Sequence, residues 1–325
     1  MKRAPRSRQR HDLYAKYHDQ DSEISDLLGE CGEKLSSMSK FRLSVPLPPE
    51  LTEWLNDVYP AWLQLPQSTF ANLVPFNAAQ SPLTLNYAES AADIAASPIF
   101  SNLRIFLTLI GEGRITLLED GTMASDSLDL LLETTSWPNA DLTLTKHMRR
   151  PLDQENIGAL DFLIGLAVAS GVAEVADGQI KVTDAGRRVR DNLIDARMVR
   201  SVFEAAFLEV NPRTLTKLAY PWVLEQAGII FWGLSITADT PRTVSEFARY
   251  CFVPPKKLLD EKLNVFDVFM RAVYLTPLTW FGLMTATSRE GGEVHVYDRL
   301  YQKTPLFDRF MNFDLERARP AERPN

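Results

Sequence analysis

The chain has 325 residues, a hydrophobic fraction of 45% and a net charge of −7 at pH 7. This length and composition allow a full hydrophobic core and predict two domains or one large one. The negative charge counts against a protein whose affinity rests mainly on phosphate contacts, although basic side chains can still gather on one face.

Residues 1–20 are predicted to form a disordered basic tail that begins MKRAPRSRQR. The tail suits either a nucleic-acid-binding arm or a solvated terminus. No apolar stretch follows it, so we expect no secretory signal, and no apolar run of about 18 residues predicts a membrane span. Two cysteines, Cys31 and Cys251, are too few for a disulfide framework or a cysteine-based zinc site, which favours a cytoplasmic protein.

Residues 21–97 are predicted to form a helical extension followed by an irregular linker. Apolar residues at helical spacing predict an amphipathic helix over 21–38, and clustered prolines precede a short helix over 50–59. From about residue 64 the chain is rich in Pro, Asn and Ser and has little periodicity. Three aromatic side chains are predicted to anchor the extension by packing, with a groove for a partner as the alternative: Trp54, Tyr59 and Trp62.

A first compact unit is predicted over residues 98–195. Ser97 stands at the N-cap position of a helix with Pro98 at its first position, and Gly111 or Gly113 is expected to end this helix. The stretch RITLL at 114–118 predicts a strand and EDGT a turn. Ser125 or Asp126 is then expected to cap the next helix.

The strongest local signal of this unit is a hairpin. A helix predicted from about 154 to 170 precedes two alternating runs, VAEVA and QIKVT, which are separated by Asp177-Gly178. This dipeptide tolerates positive φ at both central positions and therefore predicts a type I′ turn. Thr183 or Asp184 is expected to cap the helix that follows.

Residues 196–313 are predicted to form a helical connection and a second unit. Thr243 and Glu246 form the pattern of a capping box, a turn follows at 252–253, and Pro255 stands at the first position of the next helix. This spacing is typical of a helix-turn-helix, and an ordinary helical corner is the alternative. A longer apolar helix, a hairpin with a Gly-Gly tip and a closing helix complete the unit, and residues 314–325 are expected to be a disordered tail.

Two stretches of the sequence share one order of elements: LAVASGVAEVADGQIKVTDAGRRV and LTWFGLMTATSREGGEVHVYDRLYQKTPLFDRF. Each has an apolar helix that ends in Gly-Val or Gly-Leu, a hairpin, a Thr and a further helix. This order resembles winged helix-turn-helix domains broadly, over 98–190 and 220–313, and indicates a duplication with a period of about 120 residues. The predicted fold is therefore mainly α with short β-hairpins: two winged-helix-like units in tandem plus an N-terminal helical extension.

The sequence contains no phosphate-binding loop, nucleophile elbow, HExxH motif or paired CxxC motif. We therefore predict no catalytic residue, no cofactor and no metal site, and we expect a protein that is not an enzyme. The resemblance to winged-helix domains implies two alternative roles, because such domains include both DNA-binding proteins and modules for dimerisation or protein docking.

The first role is binding of duplex DNA, as in a regulator. The candidate contacts are basic residues of the second unit and its wing: Lys256, Lys257, Lys262, Arg289, His295 and Arg299. Asp260 and Glu261 follow the two adjacent lysines by four residues, and this neutralisation disfavours base readout by the helix. The alternative is a protein–protein adaptor or scaffold whose units dock a partner protein or form a homodimer, as the acidic charge favours.

Overall fold

The computed structural model describes residues 47–73, 82–138, 157–210, 213–216, 222–259, 265–287 and 299–315. These residues are mainly helical, with short strands paired into antiparallel two-stranded sheets, which confirms a mainly α fold with short hairpins. The basic tail, the predicted helix at 21–38 and most of the C-terminal tail lie outside these ranges.

The elements up to residue 138 are α1 (Pro49–Leu55), a 3-10 turn (Ala61–Gln64), α2 (Gln67–Leu73), β1 (Leu83–Leu85), α3 (Tyr87–Ala95), α4 (Pro98–Gly111) and α5 (Ser125–Thr134). The next described segment contains α6 (Gly158–Ala169), β2 (Ala173–Ala176), β3 (Gln179–Val182), α7 (Asp184–Arg190) and α8 (Ala196–Glu204), which continues with π-helical spacing over Ala205–Glu209. Short helices α9 (Arg213–Thr216) and α10 (Trp222–Glu225) then lead to the second unit.

The second unit begins with α11 (Ala227–Thr237), α12 (Val244–Cys251) and α13 (Lys256–Leu259). It continues with α14 (Val265–Phe269), a π-helical segment (Met270–Leu275), α15 (Thr276–Trp280), β4 (Met284–Thr287), β5 (Leu300–Lys303), α16 (Pro305–Phe310) and β6 (Met311–Phe313). Pro277 has no N–H with which to continue an α-helical ladder, and the helix adopts wider π spacing just before it.

The N-terminal extension is more ordered than its sequence predicts. Helix α1 ends early because Asn56 takes a left-handed conformation at φ 48°. Trp62 is buried and the ring of Trp54 packs edge-on to Phe266 at 5.1 Å, as expected for anchors. Tyr59, however, is 44% exposed, so its prediction as an anchor was wrong.

The stretch expected to be irregular contains α2, β1 and α3. Strand β1 pairs with β6 at the far end of the chain, with Leu83 opposite Phe313 and Leu85 opposite Met311. Strands of three residues have almost no sequence pattern of their own, and their partner here is more than 200 residues away. The linker prediction missed them for that reason.

Two predicted caps of the first unit are wrong in detail. Pro98 begins α4 as expected, but the hydroxyl of Ser97 makes no capping bond and is buried without a partner among the described residues. Helix α5 begins at Ser125 itself, with Ala124 at the N-cap position. The strand expected at 114–118 is reduced to a single bridge between Leu117 and Met123.

Other local predictions are confirmed. Strands β2 and β3 pair from Ala176 opposite Gln179 outwards, and Asp177 and Gly178 have φ of 55° and 69°. Thr183 caps α7 by accepting a hydrogen bond from the N–H of Gly186. The capping box of Thr243 and Glu246 is present, whereas α13 begins at Lys256, one residue after Pro255.

The two repeated stretches fold with the same main-chain hydrogen bonds. Gly171 and Gly282 end their helices at φ 76° and 73°. The residue after each glycine donates its N–H to the carbonyl of the residue five positions before it. These bonds join Val172 to Ala167 at 3.0 Å and Leu283 to Leu278 at 2.9 Å. The threonine that follows each hairpin bonds to the residue after the glycine. The N–H of Thr183 donates to the carbonyl of Val172 at 3.2 Å, and the N–H of Thr304 donates to the carbonyl of Leu283 at 3.0 Å.

Both units share one hydrophobic core, which extends through the sequence from Trp62 to Met311. Its centre lies on α8, where the ring of Phe203 packs against Phe207 at 4.7 Å, Phe281 at 5.4 Å and Phe310 at 4.9 Å. Residues of the connection therefore pack against the end of the second unit.

No single helix of the described chain is long and apolar enough to span a membrane. Helices α3 and α4 together meet the length and composition of a span, but they are bent by 64° relative to each other.

Candidate functional site

The predicted DNA contacts are only partly within the described residues. Lys262, Arg289 and His295 lie outside them, and the main chain of Lys256 and Lys257 begins α13. Arg299 is half-buried at the start of β5 and close to the hydroxyl of Tyr301. Burial raises the pKa of Tyr301, and the positive charges of Arg271 and Arg299 oppose this rise.

The helical segments that lead into the two hairpins, residues 265–280 and α6, are largely covered by other parts of the protein. From Val265 to Trp280 no residue is exposed, and only Val268 and Arg271 are not fully buried. Helix α6 of the first unit has no basic residue, and its exposed residues are Val168 and Ala169. A helix that reads bases must present polar and basic side chains to the major groove, which neither described segment does.

The outer edge of the second hairpin, β4–β5, is closed by the chain itself. The N–H of Tyr301 donates to the carbonyl of Arg242 at 2.8 Å, and the N–H of Arg242 donates to the carbonyl of Tyr301 at 3.0 Å. The N–H of Lys303 donates to the carbonyl of Ala238 at 3.0 Å. Ala238, the C-cap residue of α11, and Arg242, which forms a β-bridge with Tyr301, thus satisfy the edge of β5.

The side chain of Lys303 strengthens this closure. Its ammonium group donates to the carbonyl of Ser235 at 2.7 Å and forms ion pairs with Asp239 at 3.1 Å and Asp308 at 2.8 Å. Burial lowers the pKa of Lys303, but the hydrogen bonds and charges of the two carboxylates outweigh burial, and the pKa is raised overall.

Within the described part of the chain, the outer edge of the first hairpin, β2–β3, is open. In a hairpin with a two-residue turn, alternate residues bond to the neighbouring strand. Gln179 and Lys181 form these main-chain bonds with β2, so the N–H and C=O groups of Ile180 and Val182 point away from β2, to the outer edge. Ile180 and Tyr301 each stand three residues before the threonine that ends their hairpin, and Val182 and Lys303 each stand one residue before it, so these pairs correspond. Within the described ranges no main-chain group bonds to Ile180 or Val182 on this edge. The carbonyl of Val182 accepts only a long bond from Nη1 of Arg187, at 3.4 Å.

The segment that could have closed this edge is held away from it. The carbonyl of Thr116 accepts from the N–H of Ala124 at 3.0 Å, and the N–H of Thr116 donates to the hydroxyl of Ser127 at 2.9 Å. Since successive residues of an extended chain point their main-chain groups to opposite sides, Ile115 and Leu117 present theirs away from α5.

A groove of about 690 Å³ separates β3 from residues 113–117, and we call it the edge groove. Its apolar lining is formed by Ile110, Ile115, Leu117, Ile180 and Val182. Its charged lining consists of three cations and one carboxylate: Lys181, Arg187, Arg190 and Asp177. The edge groove therefore combines apolar walls, unpaired strand edges and a positive rim.

The cations of this rim are held by weak surface pairs. Lys181 lies 3.1 Å from Asp177, Arg187 pairs with Asp184, and Nε of Arg190 lies 3.0 Å from Asp191. Exposed pairs of this kind contribute about 1 kcal/mol or less, so a bound carboxylate can compete for the same cations.

Sequence reasoning located the hairpin and the basic helix after it but did not identify the groove. The Asp-Gly turn predicts where β3 lies, whereas the position of residues 113–117 relative to β3 depends on α5. Within the described ranges, no group of three His, Cys, Asp or Glu residues is placed to hold a metal ion. Comparison with protein-family models, curated proteins and solved structures gave no significant match.

Proposed function

We propose that this chain is a protein-docking module, an adaptor with two winged-helix-like units that binds a partner protein. The observation that carries the proposal is the burial of residues 265–280 of the second unit, together with the lack of any basic side chain on α6. Helical segments covered in this way do not enter the major groove of DNA, which leaves the hairpins and the outer surfaces for docking a protein.

The order of elements supports the winged-helix-like description of both units. The first unit has α4, the extended segment at 114–117, α5, α6 and then the hairpin β2–β3. The second has α11, the bridge at Arg242, α12, the short α13, the run α14–α15 and then β4–β5. In each unit, a helix, a bridged segment and a further helix precede the helical segment that leads into the hairpin, and the second unit has the additional α13.

Charge also favours a protein partner over DNA. The arginines of α7 lie on one short helix, and each pairs with a neighbouring aspartate. Non-specific affinity for DNA requires cations that neutralise phosphates, and the chain as a whole carries −7. Contact with duplex DNA through Lys256, Lys257, Lys262, Arg289, His295 or Arg299 stays a prediction.

Two titrations separate the alternatives. The purified full chain is titrated with a fluorescent duplex at two salt concentrations, and it is separately used, after nuclease treatment, to recover partners that are then purified and titrated by calorimetry. We expect a purified protein to bind with a defined stoichiometry and the duplex to show no salt-dependent binding. Duplex binding that weakens steeply with salt, or loss of every partner after nuclease treatment, would overturn the proposal.

A homodimer is the limiting case in which the partner is a second copy of the chain. Sedimentation equilibrium of the purified chain over a wide concentration range measures this directly. A monomer that binds a different protein supports the adaptor role.

A further inference from the structure

We propose that the edge groove binds an extended acidic segment of a partner protein, which adds to β3 as a strand. The inference rests on the proposed function, because it states which surface docks the partner and which peptide chemistry that surface recognises. Its site consists of the open edge at Ile180 and Val182, the facing edge at Ile115 and Leu117, and the basic rim.

The second hairpin shows what kind of occupant fits such an edge. There the residues equivalent to Ile180 and Val182 are bonded to the chain itself: Tyr301 pairs with Arg242 in an antiparallel β-bridge, and Lys303 donates to Ala238 at the end of α11. The same main-chain hydrogen bonds connect each hairpin to the helix before it and to the threonine after it. The outer edges of the two hairpins therefore present equivalent main-chain donors and acceptors. An extended peptide supplies to Ile180 the reciprocal main-chain bonds that Arg242 supplies to Tyr301. Addition of a strand to an exposed edge is a common mode of peptide recognition.

The lining of the groove defines the side chains of this peptide. Side chains alternate across a strand, so one set of the peptide's residues lies beside Ile180 and Val182 and the other set beside Lys181. Ile180 is buried against the core, and Lys181 is part of the basic rim. The groove therefore favours alternating apolar and acidic residues, with carboxylates that reach Lys181, Arg187 and Arg190.

The test uses the full chain and a synthetic probe, the capped peptide acetyl-VEVEVEV-amide with a fluorescent label. We expect saturable binding by anisotropy, and at least about tenfold weaker binding of the matched peptide acetyl-VKVKVKV-amide, because the rim carries three cations and one carboxylate. Equal binding of the two peptides, or binding of neither, overturns the proposal.

Backbone methylation tests whether the peptide adds as a strand. Two further versions of the acidic peptide carry N-methyl groups on all Val or on all Glu amides, and each version removes the donors along one edge of the peptide. At least one of the two is expected to lose binding. Retention of binding by both versions would mean that the peptide is held by its side chains alone, which contradicts strand addition.

Two neighbouring arginines provide a matched pair of protein variants. Arg187 lines the groove and Arg188 does not, yet their side chains are similarly exposed, at 52% and 54%, and each pairs with one aspartate. We expect Arg187→Glu to weaken binding of the acidic peptide at least fivefold and Arg188→Glu to change it less than twofold. Equal effects of the two substitutions would overturn the assignment of the site. Thermal melts of both variants check that the fold is intact.

Hydrogen exchange locates the bound peptide on the edge. The amides of Ile180 and Val182 are expected to exchange at least about tenfold more slowly with the acidic peptide bound, while those of Gln179 and Lys181, already bonded to β2, change less. Strong protection of Ile180 without peptide would show that the chain closes its own edge, and the proposal would fail. A purified partner that binds Arg187→Glu as tightly as the unaltered chain would refute the groove as docking surface and leave the adaptor role intact.

Discussion

The two hairpins have the same attachment to their helices but opposite outer edges. Both begin after a left-handed glycine, both end at a threonine, and both return to the same main-chain position. In the second hairpin the outer edge is satisfied by residues 238–242, and in the first the equivalent residues face a groove. One supersecondary unit thus has a closed edge in one place and, among the described residues, an edge without main-chain partners in the other, depending on where the preceding segment lies.

The largest loss of stability is expected from a substitution where α7 packs against the first hairpin. A Cβ on Gly186 would overlap the carbonyl oxygen of Val172 and press on Val182, whereas Phe307, at the same distance from its threonine in the second hairpin, is accommodated and buried. We expect Gly186→Ala to lower the free energy of unfolding by about 3 kcal/mol or more, measured by urea denaturation.

Gly165→Ala is the matched control for this substitution. A Cβ there would meet only a methyl group of Val210 at 3.6 Å, an ordinary contact within α6. This variant should be neutral or more stable by up to about 1 kcal/mol, because alanine is the better helix former. An equal loss in both variants would contradict a specific close approach at Gly186.

The next largest effect concerns the closure of the second hairpin. Lys303→Met removes the bonds to Ser235, Asp239 and Asp308, and we expect a loss of about 2 kcal/mol in the free energy of unfolding. Lys181→Met on the first hairpin is the control, and it should cost about 0.5 kcal/mol or less because its single ion pair is exposed.

The pH dependence of this effect has a definite sign. The pKa of Lys303 is raised in the folded protein, so its stabilisation is fully present below the unfolded pKa of about 10.4 and is lost as the pH rises through the folded pKa. The difference between Lys303→Met and the unaltered chain should therefore be constant from pH 6 to pH 9, within about 0.5 kcal/mol. A difference that disappears within this range would contradict the ion-paired geometry.

A third comparison measures the two edges directly in the free protein. The amides of Tyr301 and Lys303 donate to Arg242 and Ala238, and those of Ile180 and Val182 have no main-chain acceptor within the described chain. We expect the first pair to exchange at least about tenfold more slowly than the second under native conditions, by NMR. Similar exchange rates at the two edges would remove the distinction between them.

The smallest expected difference in stability is between substitutions of the two threonines that end the hairpins, Thr183 and Thr304. The hydroxyls of both donate to carbonyls at the start of their hairpins, but only Thr183 also accepts the N–H of the third residue of its helix, Gly186. We expect Thr183→Ala to cost about 0.5–1 kcal/mol more than Thr304→Ala in thermal or urea unfolding. Equal costs would mean that the cap contributes nothing to stability.

Local signals explain which parts of the fold were predictable. The turn at Asp177-Gly178, the capping box at Thr243 and Glu246 and the start of α4 at Pro98 each depend on the conformational preferences of a few adjacent residues. The hydroxyl of Ser97 has the right position for a cap but is buried without making one, because packing around the helix start overrides the local preference.

Long-range packing explains what the sequence left open. The pairing of β1 with β6 joins segments more than 200 residues apart, and nothing in LTL or MNF indicates a partner. Similarly, the pattern of the third helix of the second unit predicts one buried face, but its burial on nearly all sides depends on several helices that pack around it.

The sequence by itself determined the main helices of the two units, the first hairpin and the repeated order of elements, since these follow from periodicity, caps and turn residues within short stretches. Only the tertiary structure decided which hairpin edge is closed. The bonds of Thr116 to Ala124 and Ser127 hold residues 113–117 against α5, while Arg242 and Ala238 reach β5. A strand edge has no preference of its own between these outcomes, because its main-chain groups are the same whatever segment approaches it.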